Sequence, residues 1–477
     1  MNKALRLTSY LTILILGLSS CKLKDILPIN QEPETFDDTD VNNWIYSEMK
    51  DHYLWESDMV DVTQTNLTLN PEQYFESILV KPGEIDRFSW IQTSAEELQA
   101  SLNGISTTFG LKTKPFYMNS ARDRVAFHVV HALKTSSAEK AGIKRGDFIT
   151  KVNGVNITAS NFQSALSPET VTVTLGSYSN GEICDGETAV EITKEVTKRD
   201  ALQFDTILEI GDKKIGYFVY TQFLTDNDSD LNMMFGRFKS AGINELVVDL
   251  RDNPGGYISS AELLSSLIVK NLDEKNLMVR QVWNSKQTAL YTQKYGNDVF
   301  DTYFFKSKPG LGTINNPGTL ERVYFIVTPG SASSSEQLIN NLKPYMDVIL
   351  VGGHTYGKNV GSITIADSEK RWEWGMQPIV LKSVNANGES DFGTKLGFLP
   401  DIEVEDNFLP YKSYGDPDET MLHAALQDIV GETALAKLRK SQKVKPSVKF
   451  ESLSIEAISD NPVLDRKDMF ITKFPGE

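Results

Sequence analysis

The apolar positions of the chain change their period several times between its ends, and each change marks a segment. A short unbroken run, Leu11 to Leu18, follows Lys3 and Arg6 and gives way to Ser19, Ser20 and Cys21. It is too short to cross a bilayer and has the form of a cleaved export signal over residues 1–20. A polar stretch rich in Pro, Asp, Glu and Thr, residues 21–40, reads as a tether. Helical spacing then takes over. Trp44, Ile45, Met49, Tyr53 and Leu54 share one face, and Tyr74, Phe75 and Leu79 another, which predicts a small helical domain over 41–99, or a cap on the domain that follows.

From residue 100 to 200 the texture is short strands and turns. Ala126–Val130 alternates as a strand, Ser137–Ile143 reads as a short helix, and Phe148–Val152 as a strand entering the turn Asn153-Gly154, a strong hairpin signal. Residues 201–430 alternate strands (Lys214–Tyr220, Glu245–Leu250, Val323–Val327, Val348–Gly352) with helices (Ser259–Val269, Ser335–Leu342, Glu419–Val430), the pattern of an α/β domain. The stretch 431–477 is charged, with weak apolar periodicity, and reads as a tail. A multidomain chain is also what 477 residues lead one to expect.

Charge narrows the partners. Lys+Arg 48 against Asp+Glu 64 gives a formal charge of −16, which repels phosphate backbones, and no basic tract offsets it. Nucleic acid is therefore not an expected partner. Only two cysteines occur, Cys21 and Cys184, so there is neither a disulfide framework nor zinc spacing. Leu18-Ser-Ser-Cys21 resembles the lipobox of bacterial lipoproteins. That resemblance implies cleavage before Cys21, acylation of its sulfur, and a location in the cell envelope, on its periplasmic or surface face, with the membrane as partner through the anchor.

Three strings carry candidate chemistry. Thr328-Pro-Gly-Ser-Ala-Ser-Ser-Ser-Glu-Gln337 joins a buried strand to a helix, and a serine there sits near unpaired N–H groups and the positive end of the helix dipole. Ser333-Ser-Ser-Glu336 also fits a capping box that merely starts a helix. Asp249-Leu-Arg-Asp-Asn-Pro-Gly-Gly256 ends a buried strand at a turn whose N–H groups can approach a ligand closely. Thr355-Tyr-Gly-Lys358 places a lysine at the mouth of the same sheet.

Together these strings resemble the S41, or C-terminal processing (tail-specific), serine peptidases, and SSAEKAGIKRGDFITKVNGV resembles a bacterial PDZ domain. The resemblance implies a PDZ domain over 100–200 and a catalytic domain of the tail-specific protease type, ClpP/crotonase-like, over 201–430. It implies Ser333 as nucleophile and Lys358, 25 positions later, as general base. A Gly255 or Gly256 amide with that of Ser334 would form the oxyanion hole, and Glu336 and Thr355 match auxiliary positions. The PDZ carboxylate loop would be Phe109, Gly110 and Leu111, recruiting protein or peptide substrates by their free C-termini. No cofactor or metal is implied. Ser362 stands where many members have a glutamine, and Pro344 where some have an aspartate. A lysine base must be neutral, so the ammonium's ordinary pKa of about 10.4 must fall, which requires burial away from carboxylates.

Other classes fit less well. Gly352–Asn359 nearly matches a phosphate-binding loop, but Asn359 replaces its hydroxyl residue, and Val360–Ile365 alternates as a strand where a helix should open. A serine triad would need one of five histidines, of which His354 alone lies near the motifs. The remaining alternative is a non-catalytic peptide-binding protein with a degenerate protease fold.

Overall fold

The computed structural model describes residues 36–439, 448–454 and 456–476; Cys21 and the export signal lie outside them. Its first helix, Asp38–His52, is started by a capping box between Asp37 and Asp40 and buries Val41, Trp44, Ile45 and Met49. Tyr53 is the residue that closes it, and its hydroxyl donates to Asp86 at 2.7 Å. The second helix, Pro71–Ser77, has Asn70 as cap and Pro71 where a missing N–H costs nothing. Tyr74 and Phe75 are buried as expected, but Ile78 and Val80 take the place foreseen for Leu79, which is half-buried. These helices have no core of their own. Their apolar face packs with Ile258, Trp283, Ile363, Met376 and Met469, and Trp90–Gln92 pairs antiparallel with Gly375–Gln377. The N-terminal domain is thus seated as a cap on the catalytic domain.

The PDZ region is a β-sheet ordered Ile458–Ser459, Leu111–Tyr117, Val125–Ala132, Phe148–Val152, Thr170–Ser179, Glu182–Thr193. Its core includes Phe109, Phe127, Val129, Ile149, Val173 and Ile192. Asn153 (φ 52°) and Gly154 (φ 74°) are both left-handed, as an Asn-Gly hairpin turn requires. The short helix covers only Ser137–Lys140, because Gly142 turns the chain at φ 85° before Ile143.

In the catalytic domain a six-stranded sheet runs Leu202–Ile210, Lys213–Tyr220, Glu245–Asp249, Arg322–Val327, Asp347–Gly352, Ile402–Glu403, parallel apart from the first pair. Both faces are covered, so its strands read as unbroken apolar runs. Phe218, Val248 and Phe325 pack against the helices Ile258–Ile268 and Ser334–Leu342 on one side. Tyr217, Val247 and Ile326 pack against Thr420–Val430 on the other. The expected strands and helices of this region are present with ends displaced by a residue or so.

Described residues beyond 431 take part in the fold, Glu432–Arg439 as a helix and Met469–Ile471 as a strand. Met469–Ile471 lies inside a second sheet, between Gly256–Tyr257 and Val360–Ile363, parallel to both. Met469 and Phe470 are buried. Strands of two or three residues are too short to generate an apolar period, so the sequence carried no signal for them. Among the described residues no helix is long and apolar enough to cross a membrane.

Candidate active site

Ser333 sits at the joint between the strand Arg322–Val327 and the helix Ser334–Leu342, with φ 65° and ψ −114°. A non-glycine residue held there costs on the order of 1–3 kcal/mol, and it is the conformation of a sharp strand-to-helix turn that thrusts a side chain forward. The four serines of this turn are not equivalent. Ser331 Oγ donates to the Leu250 carbonyl at 2.6 Å, Ser334 Oγ to Gly256 at 2.8 Å and Ser335 Oγ to Asn253 at 3.0 Å. The Ser333 hydroxyl is buried and makes no hydrogen bond. The serine turn is therefore pinned to the loop 250–256 by its neighbours, and Ser333 alone is left with a free hydroxyl.

Glu336, one turn into the helix, ties this turn to the lysine turn. It accepts from Ser333 N at 2.8 Å, Thr355 Oγ1 at 2.5 Å, Gly357 N at 2.7 Å and Lys358 N at 2.8 Å. Burial pushes its carboxyl up to about 7, against the pull of these four donors. The expected capping box is present: Glu336 closes onto the Ser333 N–H at 2.8 Å and the Ser333 side chain faces the Glu336 N–H, without reaching hydrogen-bond geometry.

Lys358 is buried, and that burial lowers its pKa from the ordinary value, opposed by Asp468, Asp86 and Glu336. Its Nζ donates to the Lys467 carbonyl at 2.6 Å, lies 3.8 Å from Asp468 and stands 4.9 Å over the Phe88 ring. The expectation of a lysine remote from carboxylates is corrected here: a carboxylate from the C-terminal region faces it.

Of the two glycines, Gly255 uses its N–H internally, on Asn253 Oδ1 at 2.9 Å. The Gly256 N–H instead donates to the Asp468 carbonyl at 2.5 Å. A Cβ on Gly255 would fall 2.2 Å from Asp468 O, 2.6 Å from Ser333 Cβ and 3.1 Å from Ser334 N, so only glycine lets these elements converge. Ser334 N is at the first position of the helix, where amides have no intrahelical acceptor. Ser362 is buried but turns to the Met469 carbonyl (3.3 Å), not to the lysine.

In the PDZ region, Phe109 N and Leu111 N each donate at 2.9 Å to the Asp460 carboxylate, which also accepts from Thr108 Oγ1. Gly110, at φ 83°, has its N–H on Thr108 Oγ1. The loop singled out from sequence thus holds a carboxylate, one supplied by the same chain.

Two sets of residues escaped sequence reasoning. Arg251, read only as part of its string, is buried between Asp249 (2.8 Å) and Glu419 (2.7 and 2.9 Å), and Arg145 of the PDZ region reaches the same Glu419 at 3.4 Å. The other set is Asp460, Lys467 and Asp468, which lie in a charged stretch without a local pattern. A cleft of about 490 Å³ lined by Arg87, Phe88, Trp90, Tyr356, Lys467 and Asp468 opens beside Lys358, whereas a larger cavity of about 620 Å³ lies between Lys114 and residues 403–407, with neither Ser333 nor Lys358 in its wall. Among the described residues no group of three or more His, Cys, Asp or Glu side chains is placed to hold a metal ion.

Fold and site together define a PDZ-bearing peptidase. Residues 214–404 match the model of peptidase family S41, residues 40–90 the peptidase S41 N-terminal domain, and residues 129–175 a PDZ domain. The chain belongs to peptidase family S41. It is similar to the carboxyl-terminal-processing protease of Picosynechococcus, 23% identical over 345 residues that cover 71% of this chain and 75% of that one. The carboxy-terminal processing protease CtpA of Bacillus subtilis is 27% identical over 306 residues, 61% of this chain but only 56% of that relative's length. A solved structure described as an S41 protease from Bacteroides fragilis superposes with a TM-score of 0.68 at 25% identity, covering 84% of this chain and 99% of that one.

Proposed function

We propose that the chain is a serine endopeptidase working with a Ser333–Lys358 dyad. The observation that carries the reading is the free, buried hydroxyl of Ser333 in a turn whose other serines are committed, with a buried lysine joined to that turn through Glu336. Ser333 Oγ attacks the scissile carbonyl carbon while Lys358 Nζ, neutral, takes its proton. The N–H of Ser334 holds the oxyanion together with that of Gly255 or Gly256, once that glycine's bond to Asn253 Oδ1 or to the Asp468 carbonyl is released, and the collapsing intermediate expels the amine with the proton from Lys358. Water then releases the acyl group with Lys358 again as base. Ser333→Ala and Lys358→Ala should each abolish peptide hydrolysis with the fold intact, and Lys358→Arg should fail as well, since a guanidinium stays protonated. Full hydrolysis by Lys358→Ala would refute the dyad.

Substrates are cell-envelope proteins recruited by their C-termini. This rests on the loop Thr108–Leu111, whose amides hold a carboxylate. The mature chain starts at acylated Cys21 and is held at the envelope by its lipid. Loss of acyl labelling and of membrane association in Cys21→Ala tests the anchor, and unchanged association would refute it.

A further inference from the structure

The outer edge of the PDZ strand Leu111–Tyr117, the edge on which PDZ domains add a peptide strand, is already covered by the chain itself. Glu451 O accepts from Tyr117 N, Leu453 N donates to Pro115 O, Ile458–Ser459 pairs antiparallel with Thr113 and Lys112, and Asp460 N donates to Leu111 O. At the end of this added strand the Asp460 side chain fills the carboxylate loop. Eight residues further on, the same segment reaches the catalytic cleft, where the Lys467 carbonyl takes the Lys358 ammonium and the Asp468 carbonyl takes the Gly256 N–H.

We propose that residues 456–468 are the resident ligand of both grooves, an intramolecular strap that a C-terminal peptide must displace from the PDZ edge and a substrate from the catalytic cleft. The catalytic half of this inference rests on the dyad reading above; the PDZ half does not.

The strap is built to leave. Its flanks are anchored by apolar burial, Met469 and Phe470 on one side and the Leu453 contact with the PDZ core on the other. Within the strap only Leu464 is buried. What holds the rest is polar: Asp460 on the loop, Asp465 with Lys112, Lys467 with Glu456 at 3.0 Å, and Arg466 over the Trp90 ring at 3.7 Å. A competing carboxylate can replace Asp460 on the loop donor for donor, whereas the Asp465–Lys112 pair, its lysine side chain 9% exposed, must regain water as the strap leaves, and removing Phe470 would open the core. An aspartate side chain presents the same two oxygens as a terminal carboxylate, so the loop binds the internal residue as it would a free C-terminus. Lys358 meanwhile donates from its Nζ to the strap, while the Ser333 hydroxyl has no partner.

The test uses the full-length chain and a fluorescein-labelled peptide, Ser-Ile-Glu-Ala-Ile-Ser-Ala with a free α-carboxyl as its one terminal carboxylate, followed by anisotropy. Asp460→Ala should bind this probe at least tenfold more tightly than the unaltered chain, and amidating the probe should remove the gain. Hydrolysis of a quenched peptide with the same ending should rise in the same variant. Equal affinity in the two proteins would overturn the strap. If Asp460→Ala does not fold, hydrogen exchange on the unaltered chain decides: saturating probe should deprotect the amides of residues 456–460, and unchanged protection overturns the inference. A tenfold gain in binding with no hydrolysis by either protein would defeat the peptidase reading and leave the PDZ half standing, while hydrolysis with no gain in binding would do the reverse.

Discussion

Glu336 and Thr355 are joined by a 2.5 Å hydrogen bond that spans the serine turn and the lysine turn. The same carboxylate receives the backbone N–H groups of Ser333 and Lys358, so one buried side chain fixes the relative position of the two turns that carry the proposed dyad. Glu336→Gln replaces an acceptor oxygen by an NH₂ group and strands at least one buried donor, a loss of about 1–3 kcal/mol. Its expected signature is a fall in kcat larger than any rise in KM, with Thr355→Val showing a weaker version. A denaturant midpoint beside the kinetics separates loss of positioning from loss of fold, and unchanged kcat in Glu336→Gln would refute the positioning role.

Burial holds the Lys358 pKa below its ordinary value while Asp468, 3.8 Å away, pushes it back up. Activity requires the neutral amine, so kcat/KM should rise with pH through the folded pKa of Lys358. Asp468→Asn removes the opposing charge and lowers that pKa further, so the rising limb should move to lower pH. A limb that stays in place, or moves up, would show that the titrating group is not Lys358.

Glu419 is held low, to about 2, by its pairing with Arg251 and Arg145 although burial alone would raise it. A carboxyl depressed in the folded state adds stability that is present above its unfolded pKa of about 4.5 and is lost as pH falls through the folded value. Glu419→Gln leaves Arg251 short of a buried partner and should cost about 3–5 kcal/mol near pH 7. The gap between variant and unaltered chain should shrink as pH drops from 4.5 towards 2, read from urea midpoints. Because Arg145 belongs to the PDZ region, the same variant should also loosen that region, visible as faster amide exchange in Phe148–Val152.

Gly255→Ala would drive a methyl group into the space shared by Asp468 O, Ser333 Cβ and Ser334 N. We expect hydrolysis to be lost even where the chain still folds, whereas Gly154→Ala, at a turn with open space around it, should leave hydrolysis intact and cost only local strain at φ 74°. Retained activity in Gly255→Ala would mean that the glycine turn does not approach the nucleophile as described.

What could be read from sequence divides along physical lines. The strands Lys213–Tyr220 and Arg322–Val327 were legible because burial on both faces leaves unbroken apolar runs, and Ser333, Lys358 and the glycine turn because their strings are local. Which serine carries a free hydroxyl was not legible, since Ser331, Ser334 and Ser335 are committed to carbonyls some eighty residues away. The role of Asp460 was equally hidden: it lies 351 residues from Phe109, in a stretch where strands of two residues leave no period. The partners of the two glycine amides were hidden as well: Gly255 N–H is taken by the Asn253 side chain and Gly256 N–H by the Asp468 carbonyl.

The central claim, that Ser333 is a nucleophile activated by Lys358, is tested most directly by reacting the full-length chain with a small fluorophosphonate and mapping the adduct by mass spectrometry. One phosphonylated residue is expected, Ser333, with labelling that rises with pH alongside hydrolysis and disappears in Lys358→Ala. An adduct on Ser331, Ser334 or Ser335 instead, or labelling of Ser333 undiminished in Lys358→Ala, would contradict it.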